Sequence, residues 1–297
     1  MATATSQLRV WLWAARPKTL GAAVAPVFVG TVLAVEAGTW HPWAAALALL
    51  SAVFIQVGVN YHNDYTDYLQ GADTEDRVGP LRVTQAGLVD PETMRRATVG
   101  MFGAAVLAGG YLIVRGGWPV LAIGAASIAT AVWYTAGPYS LASLGLADLA
   151  VFVFFGPVAV GGTYYVQALA CPPEVIAVGA GPGLFSVGIL LVNNIRDVAN
   201  DRAAGKRTLV VRVGRRAGVW LYGASLSGAL LLPVALAAGT GGHWGAVAPL
   251  VLFPLVVRHT RTLATTDDPE ALNPLLGATG RLLVLWAALF SVGWLLS

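Results

Sequence analysis

The sequence predicts an all-α membrane protein of nine spans, and three observations carry that prediction. The 297 residues are 57% hydrophobic and only 11% charged, against roughly 25% charged in an ordinary soluble domain. Nine apolar runs are long enough to cross a hydrocarbon core of about 30 Å. The basic residues between the runs fall almost entirely on one side of the membrane when the loops are assigned alternately.

The runs lie near residues 20–36, 43–61, 97–114, 118–136, 146–168, 174–195, 217–238, 243–258 and 279–296. The leading stretch MATATSQLRVWLWAARPKTL sets Arg9, Arg16 and Lys18 beside tryptophans. It lacks the charged leader, short apolar core and small-residue cleavage site of a secretory signal, so no cleaved signal peptide is expected. Gly116, Gly117 and Pro119 part the third run from the fourth, and the GTGGH stretch at 239–243 parts the seventh from the eighth. Lysine and arginine accumulate in short cytoplasmic loops. With nine spans, 17 of the 18 basic residues share one side and Arg115 stands on the other. The expectation is a multi-pass cell-membrane protein with a cytoplasmic amino terminus and an external carboxyl terminus, forming one transmembrane domain over 1–297.

The remaining composition mostly excludes. The lone cysteine, Cys171, permits no intrachain disulfide. A formal charge of +3, spread between apolar runs instead of gathered in one stripe, makes the lipid bilayer the expected partner and nucleic acid an unexpected one.

Of the 15 acidic residues, seven fall in two short stretches: Asp64, Asp67, Asp73, Glu75 and Asp76 after the second run, and Asp197 and Asp201 after the sixth. Four crossings separate the stretches, so both face the cytoplasm. Continued as helices, they place Asn60, Asn63 or Asp64, and Asp67 on one face, and Asn194, Asp197 and Asp201 on another, because residues three and four apart are helical neighbours. Gly71 and Gly205 then release the chain, leaving Asp73 on a loop able to fold back. Carboxylates held about 4 Å apart repel by several kcal/mol at an effective dielectric near 20, so converging stripes need a cation or a proton. Carboxylate and amide oxygens without histidine or thiolate suit a hard ion such as magnesium, which takes one or two carboxylates plus substrate phosphate oxygens. Arg77, Arg82, Arg196, Arg202, Lys206 and Arg207 supply donors for a diphosphate.

The pattern Asn63-Asp64-x-x-Asp67 followed by Asp73, with Asp197-x-x-x-Asp201-x-x-x-Gly205, resembles the UbiA superfamily of intramembrane aromatic prenyltransferases. The flanks ARPKTL (15–20), NDYTDYLQGAD (63–73), DRVGPLR (76–82), VFVFFGPVAV (151–160) and GKRTLVVRVG (205–214) are similar to its 1,4-dihydroxy-2-naphthoate branch, which serves menaquinone synthesis. The resemblance covers nearly the whole chain. It implies nine helices around a central cavity open laterally to lipid. It also implies transfer of a polyprenyl tail from its diphosphate to the bicyclic aromatic acid, with loss of diphosphate and carbon dioxide, to give demethylmenaquinol or demethylmenaquinone.

The family's metal residues fall on Asn63, Asp67, Asp73, Asp197 and Asp201 as ligands for magnesium, with Asn60, Asp64 and Asn194 in support. Arg82 and Lys206, with Arg77 and Arg207, are the expected diphosphate contacts, and Asp67, Asp201 and Lys206 are the expected catalytic residues. Tyr134 and Tyr139 flank a Gly-Pro break near the cytoplasmic end of the fourth run and are candidates to meet the acceptor ring. Residues 136–147 carry no charge, so the acceptor's carboxylate looks to Arg82, Arg196 or Lys206. Two rival readings remain: a family member acting on a 4-hydroxybenzoate-like or homogentisate-like acceptor, and a cation- or proton-coupled transporter. Acids gathered at one cytoplasmic rim beside basic partners favour a phosphate site over a midplane conduction path.

Overall fold

Prolines set where the spans begin. The computed structural model describes residues 6–71, 79, 81–137 and 139–297, and among these the regular structure is helical. A short interfacial helix α1 (Gln7–Ala15) precedes α2 (Pro17–Glu36), α3 (Pro42–Leu69), α4 (Pro91–Gly116) and α5 (Trp118–Trp133). Then come α6 (Leu141–Leu144), α7 (Ala147–Phe154), α8 (Pro157–Ala168) and α9 (Pro173–Arg196). Pro17, Pro42, Pro91, Pro157 and Pro173 each open a helix at its first position, where the missing N–H has no intrahelical use and the fixed φ is already helical. Asp90 caps α4 by accepting from the Thr93 N–H at 3.0 Å. The second half comprises α10 (Val198–Ala203), α11 (Leu209–Val213), α12 (Arg215–Thr240), a 3-10 segment Trp244–Leu252, α13 (Phe253–Thr265) and α14 (Asn273–Leu295).

Eight helical stretches among the described residues are long and apolar enough to cross a membrane. The ninth expected span corresponds to α5, which is apolar but stops at 16 residues, about 24 Å of rise. Two spans are not continuous α-helices. The fifth run is α7 and α8 joined at Phe155 and Gly156, and the eighth is the 3-10 segment running into α13. The break at Gly156 fits against α9 backbone to backbone. A Cβ on Gly156 would sit 2.6 Å from the Gly179 carbonyl oxygen, and one on Gly179 would sit 2.6 Å from Pro157 Cα. Only glycine permits that approach.

The spans close a ring in chain order, α2 beside α3, α3 beside α4, and so on to α14, which returns to α2. Across the ring α9 packs on α2, α12 and α14. The largest core cluster lies there, with Phe185, Leu191, Val192 and Ile195 of α9 against Tyr222, Leu226 and Leu230 of α12 and Trp286 and Phe290 of α14. Trp286 is fully enclosed, and its indole N–H donates to the Ala229 carbonyl at 3.0 Å, which satisfies the one polar atom that burial of an indole strands. Large apolar side chains such as Leu107, Val114, Trp118 and Trp220 are exposed. For a multi-pass membrane protein this is the lipid-facing surface, where lipid tails replace water as solvent.

Candidate active site

The last turns of α3 carry the first acidic motif, and its polar residues divide between holding the backbone and lining a cavity. Asn60 donates to the Ala15 carbonyl at 2.8 Å and the Thr19 hydroxyl at 3.3 Å, tying the α1–α2 corner to α3. Asp64 is buried and accepts the Val83 and Thr84 N–H groups at 3.2 and 3.0 Å, fixing the segment that carries Arg82. Asn63 and Asp67 face the cavity. Asn63 Oδ1 accepts from the Thr135 hydroxyl at 2.9 Å. Asp67 Oδ2 accepts from Arg82 Nη2, and its Oδ1 lies 3.4 Å from Lys206 Nζ.

Lys206 belongs to the second motif. Here α9 ends at Arg196 and α10 starts at Val198, with Asp197 at the junction. Gly205 adopts φ +71° and turns the chain so that the Lys206 N–H donates to the Asp201 carbonyl at 2.8 Å. One lysine thus joins both motifs, through its backbone to Asp201 and through its ammonium to Asp67. Gly71, with φ +60°, ends α3 in the same left-handed conformation. Arg196 grips Asp197 with two hydrogen bonds of 2.7 and 2.6 Å and reaches Asn273 Oδ1 at 3.0 Å. Burial pushes the Asp201 carboxyl up to about 6, with the negative charges of Asp197 and Asp67 adding to the rise and Lys206 and Thr208 opposing it.

Two cavities adjoin at these residues. The polar one, about 850 Å³, is walled by Asn63, Asp67, Arg82, Asp197, Asp201 and Lys206, among others. The apolar one, about 500 Å³, runs inward between α2, α3, α4, α5, α8 and α9. Arg16, Thr19, Asn63, Tyr134 and Asn193 line both and form the waist between them. Among the described residues no group of three His, Cys, Asp or Glu side chains gathers as a complete metal cage. The oxygen-only donors Asn63, Asp67, Asp197 and Asp201 nevertheless fit a magnesium ion that fills its remaining positions with water and phosphate oxygens.

A family model, the UbiA prenyltransferase family, matches residues 23–287. The chain belongs to the UbiA prenyltransferase family. Three relatives are named 1,4-dihydroxy-2-naphthoate octaprenyltransferase: that of Mycobacterium tuberculosis is 40% identical over 93% of this chain and 94% of its own. That of Escherichia coli is 36% identical over 98% and 97%, and that of Haemophilus influenzae 34% over 98% and 97%. A UbiA homolog from Aeropyrum pernix K1 superposes with a TM-score of 0.68 at 14% identity, covering 94% of this chain and 97% of that one. A UbiA homolog from Archaeoglobus fulgidus, solved bound to GPP and Mg2+, superposes with a TM-score of 0.62 at 16% identity, covering 95% and 99%. At these identities the structural likeness speaks to the fold.

Within this UbiA-family fold, the residues singled out from the sequence are distributed unevenly. Asn63, Asp67, Asp197, Asp201, Arg82, Lys206, Asn194, Arg196 and Tyr134 all line the polar cavity. Asp73 and Arg77 lie outside the described residues. Arg207 is exposed and outside the described cavity wall, its carbonyl accepting from Arg212 Nε at 2.8 Å. Tyr139 is likewise exposed, its carbonyl accepting from the Trp133 indole at 2.9 Å. Sequence reading passed over Arg16, Thr19, Thr135, Asn193 and Asn200, all of which line the polar cavity. Thr135 also meets Thr66 at 3.0 Å and locks the end of α5, with Tyr134, onto α3. Helical spacing flagged none of them: Arg16, Thr19 and Thr135 lie outside both motif stretches, and Asn193 and Asn200 lie within the second stretch but off its Asn194-Asp197-Asp201 stripe.

Proposed function

We propose that this chain is a magnesium-dependent enzyme that transfers a polyprenyl chain from its diphosphate to 1,4-dihydroxy-2-naphthoate, acting as a single transmembrane domain over 1–297 with its polar cavity on the cytoplasmic side, its amino terminus inside and its carboxyl terminus outside. The observation that carries the reading is Lys206, which ties Asp201 of one motif to Asp67 of the other in a polar cavity that adjoins an apolar one. Acid, base and grease meet there in the order a prenyl diphosphate presents its own parts. The relatives named 1,4-dihydroxy-2-naphthoate octaprenyltransferase at 34 to 40% identity support the choice of acceptor over a 4-hydroxybenzoate-like ring.

In this reading Asn63, Asp67, Asp197 and Asp201 hold the metal, and Asp73 is the fifth ligand that the sequence pattern supplies. Magnesium, when bound, neutralises charge on the departing diphosphate. Lys206 and Arg82 already stand at the carboxylates and turn to the diphosphate oxygens, where their charge is worth most as the allylic carbon–oxygen bond stretches. That bond's electron pair leaves with diphosphate. The ring carbon bearing the carboxylate forms the new carbon–carbon bond, and carbon dioxide departs, leaving its bonding pair to restore the aromatic ring. The product is demethylmenaquinol, the reduced form of demethylmenaquinone. Tyr134, at the waist, is placed to flank the ring. The apolar wall excludes water from the cation and encloses the tail.

The test is a membrane assay with dihydroxynaphthoate carrying a labelled carboxylate, polyprenyl diphosphate and magnesium. Labelled carbon dioxide and a lipid-soluble naphthalenediol should form together and stop on chelation. Asp67→Ala and Asp201→Ala should each remove turnover while the protein stays in the membrane fraction. Transfer that persists in either variant, or in excess chelator, overturns the reading.

A further inference from the structure

We infer that Asp148 is a positioning residue for the aromatic acceptor: its negative charge draws the Tyr134 hydroxyl proton towards itself and leaves the tyrosine oxygen to accept a hydrogen bond from a ring hydroxyl of the substrate. The inference rests on the acceptor class proposed above, a ring that carries hydroxyls. With the diphosphate in the polar cavity and the tail in the apolar one, the reacting carbon lies at the waist, and Tyr134 is the aromatic side chain of that waist. A hydrogen bond accepted from a ring hydroxyl pushes electron density into the ring, which is what attack on an allylic cation needs.

Asp148 is otherwise an anomaly. Among the described residues it is the one acid whose carboxylate oxygens are both buried with no hydrogen-bond partner, and the residue is 8% exposed. An ionised carboxylate withdrawn from water without a partner is costly. Its place in the first turn of α7 offsets only part of that cost. A side chain kept for packing alone would be apolar.

Chain path and charge both bring it to Tyr134. The short helix α6 turns the chain back from the end of α5 to the start of α7. The Ala142 N–H donates to the Tyr134 carbonyl at 3.2 Å, and the Leu146 N–H to the Leu141 carbonyl at 2.9 Å. Val151, one turn on from Asp148, lines the apolar cavity with Ala150 and Phe154. Asp148 itself lines neither cavity, so it reaches the substrate only through its neighbours. Of the carboxylates around Tyr134, Asp148 bears most on its hydroxyl, ahead of Asp201 and Asp67. The two side chains are not hydrogen-bonded to each other, so Asp148 acts by its field, which is strong where water is scarce.

The experiment compares wild type, Asp148→Asn, Asp148→Glu, Tyr134→Phe and the Asp148→Asn/Tyr134→Phe double variant in the full-length protein. Inhibition of prenyl transfer by 2-naphthoate is set against inhibition by its 1-hydroxy and 4-hydroxy derivatives. Wild type should prefer at least one hydroxy acid by about 5- to 10-fold, the worth of an ordinary hydrogen bond. Asp148→Asn and Tyr134→Phe should each lose that preference and lower kcat/KM for the acceptor by a similar factor, with the polyprenyl diphosphate KM within about twofold of wild type. Asp148→Glu, which keeps the charge, should keep part of the preference. In the double variant the second change should add less than about twofold, because both act on one hydrogen bond. Asp148→Asn should melt no lower than wild type, since it removes a buried charge that has no partner. Where a variant turns over too slowly, the ratio of thermal stabilisation by the same three acids gives the same comparison. A preference retained in Asp148→Asn, a double variant in which the two losses multiply, or a loss that falls on polyprenyl diphosphate together with a lower Tm overturns the assignment. Wild type that fails to prenylate dihydroxynaphthoate refutes the proposed acceptor, and this inference with it, before any variant is read.

Discussion

Replacing Asp201 by asparagine should stabilise the metal-free protein at neutral pH while removing its activity. The Asp201 carboxyl is pushed up to about 6 in the folded chain, against 3.8 for the unperturbed group, because it is largely withdrawn from water and faces Asp197 and Asp67. A raised acid titration means that folding penalises the charged form. Below pH 3.8 the group is protonated in both states and there is no penalty. The penalty grows as pH rises from 3.8 towards 6 and is complete above 6. At about 1.36 kcal/mol per pH unit its ceiling is about 3 kcal/mol. Partial exposure and a retained hydrogen bond to the amide reduce the net gain to about 1–2 kcal/mol. For a chain of this size that is an increase in Tm on the order of 2–4 °C. The assay is thermal unfolding in detergent with chelator, at pH 8 and again at pH 4.5, where the advantage should shrink to less than half. Adding magnesium and a diphosphate should stabilise wild type and leave Asp201→Asn largely unmoved, because bound ligand adds stability only where its ligands remain. An asparagine variant less stable than wild type at pH 8 in chelator, or a gain that is the same at both pH values, refutes the reasoning.

Three further outcomes follow from the same geometry. Asp64→Ala strips the buried acceptor from the Val83 and Thr84 N–H groups and should cost about 2–4 kcal/mol, read as a fall in Tm, with Asp64→Asn costing less. Gly179→Ala drives a methyl to within 2.6 Å of Pro157 Cα and should cost about 1–3 kcal/mol, whereas Gly239→Ala, with open space around it, should cost less than about 1 kcal/mol by the same measurement. Magnesium affinity, measured by its midpoint for activation, should weaken as pH falls through about 6, because the metal must displace the proton from Asp201; a midpoint flat from pH 7.5 to 5.5 contradicts that role.

The spans were legible because hydropathy and loop charge both integrate over twenty residues and average out local detail. The same averaging hid the break at Gly156 and the 3-10 segment Trp244–Leu252, since VFVFFGPVAV and WGAVAPLVL are apolar from end to end. At the site, the convergence of Asp67 and Asp201 on one cavity was legible from helical spacing at the ends of two spans. The division of labour within the first stripe was not, because neighbours on one face differ in whether the loop at 81–84 or a cavity lies opposite. Arg16 entered the sequence reading only as one of the basic residues counted on the cytoplasmic side. Its place at the waist depends on a left-handed corner and on Asn60, which lies 44 residues on.

The most direct test of a shared two-motif site is a structure of the protein with magnesium and an unreactive polyprenyl thiolodiphosphate. The expected result has the diphosphate and metal between Asp67 and Asp201, Lys206 moved from carboxylate to phosphate, and the tail in the cavity lined by α2, α3, α5 and α9. A diphosphate bound by one motif alone, or outside the cavity that holds Asn63 and Asp197, contradicts it.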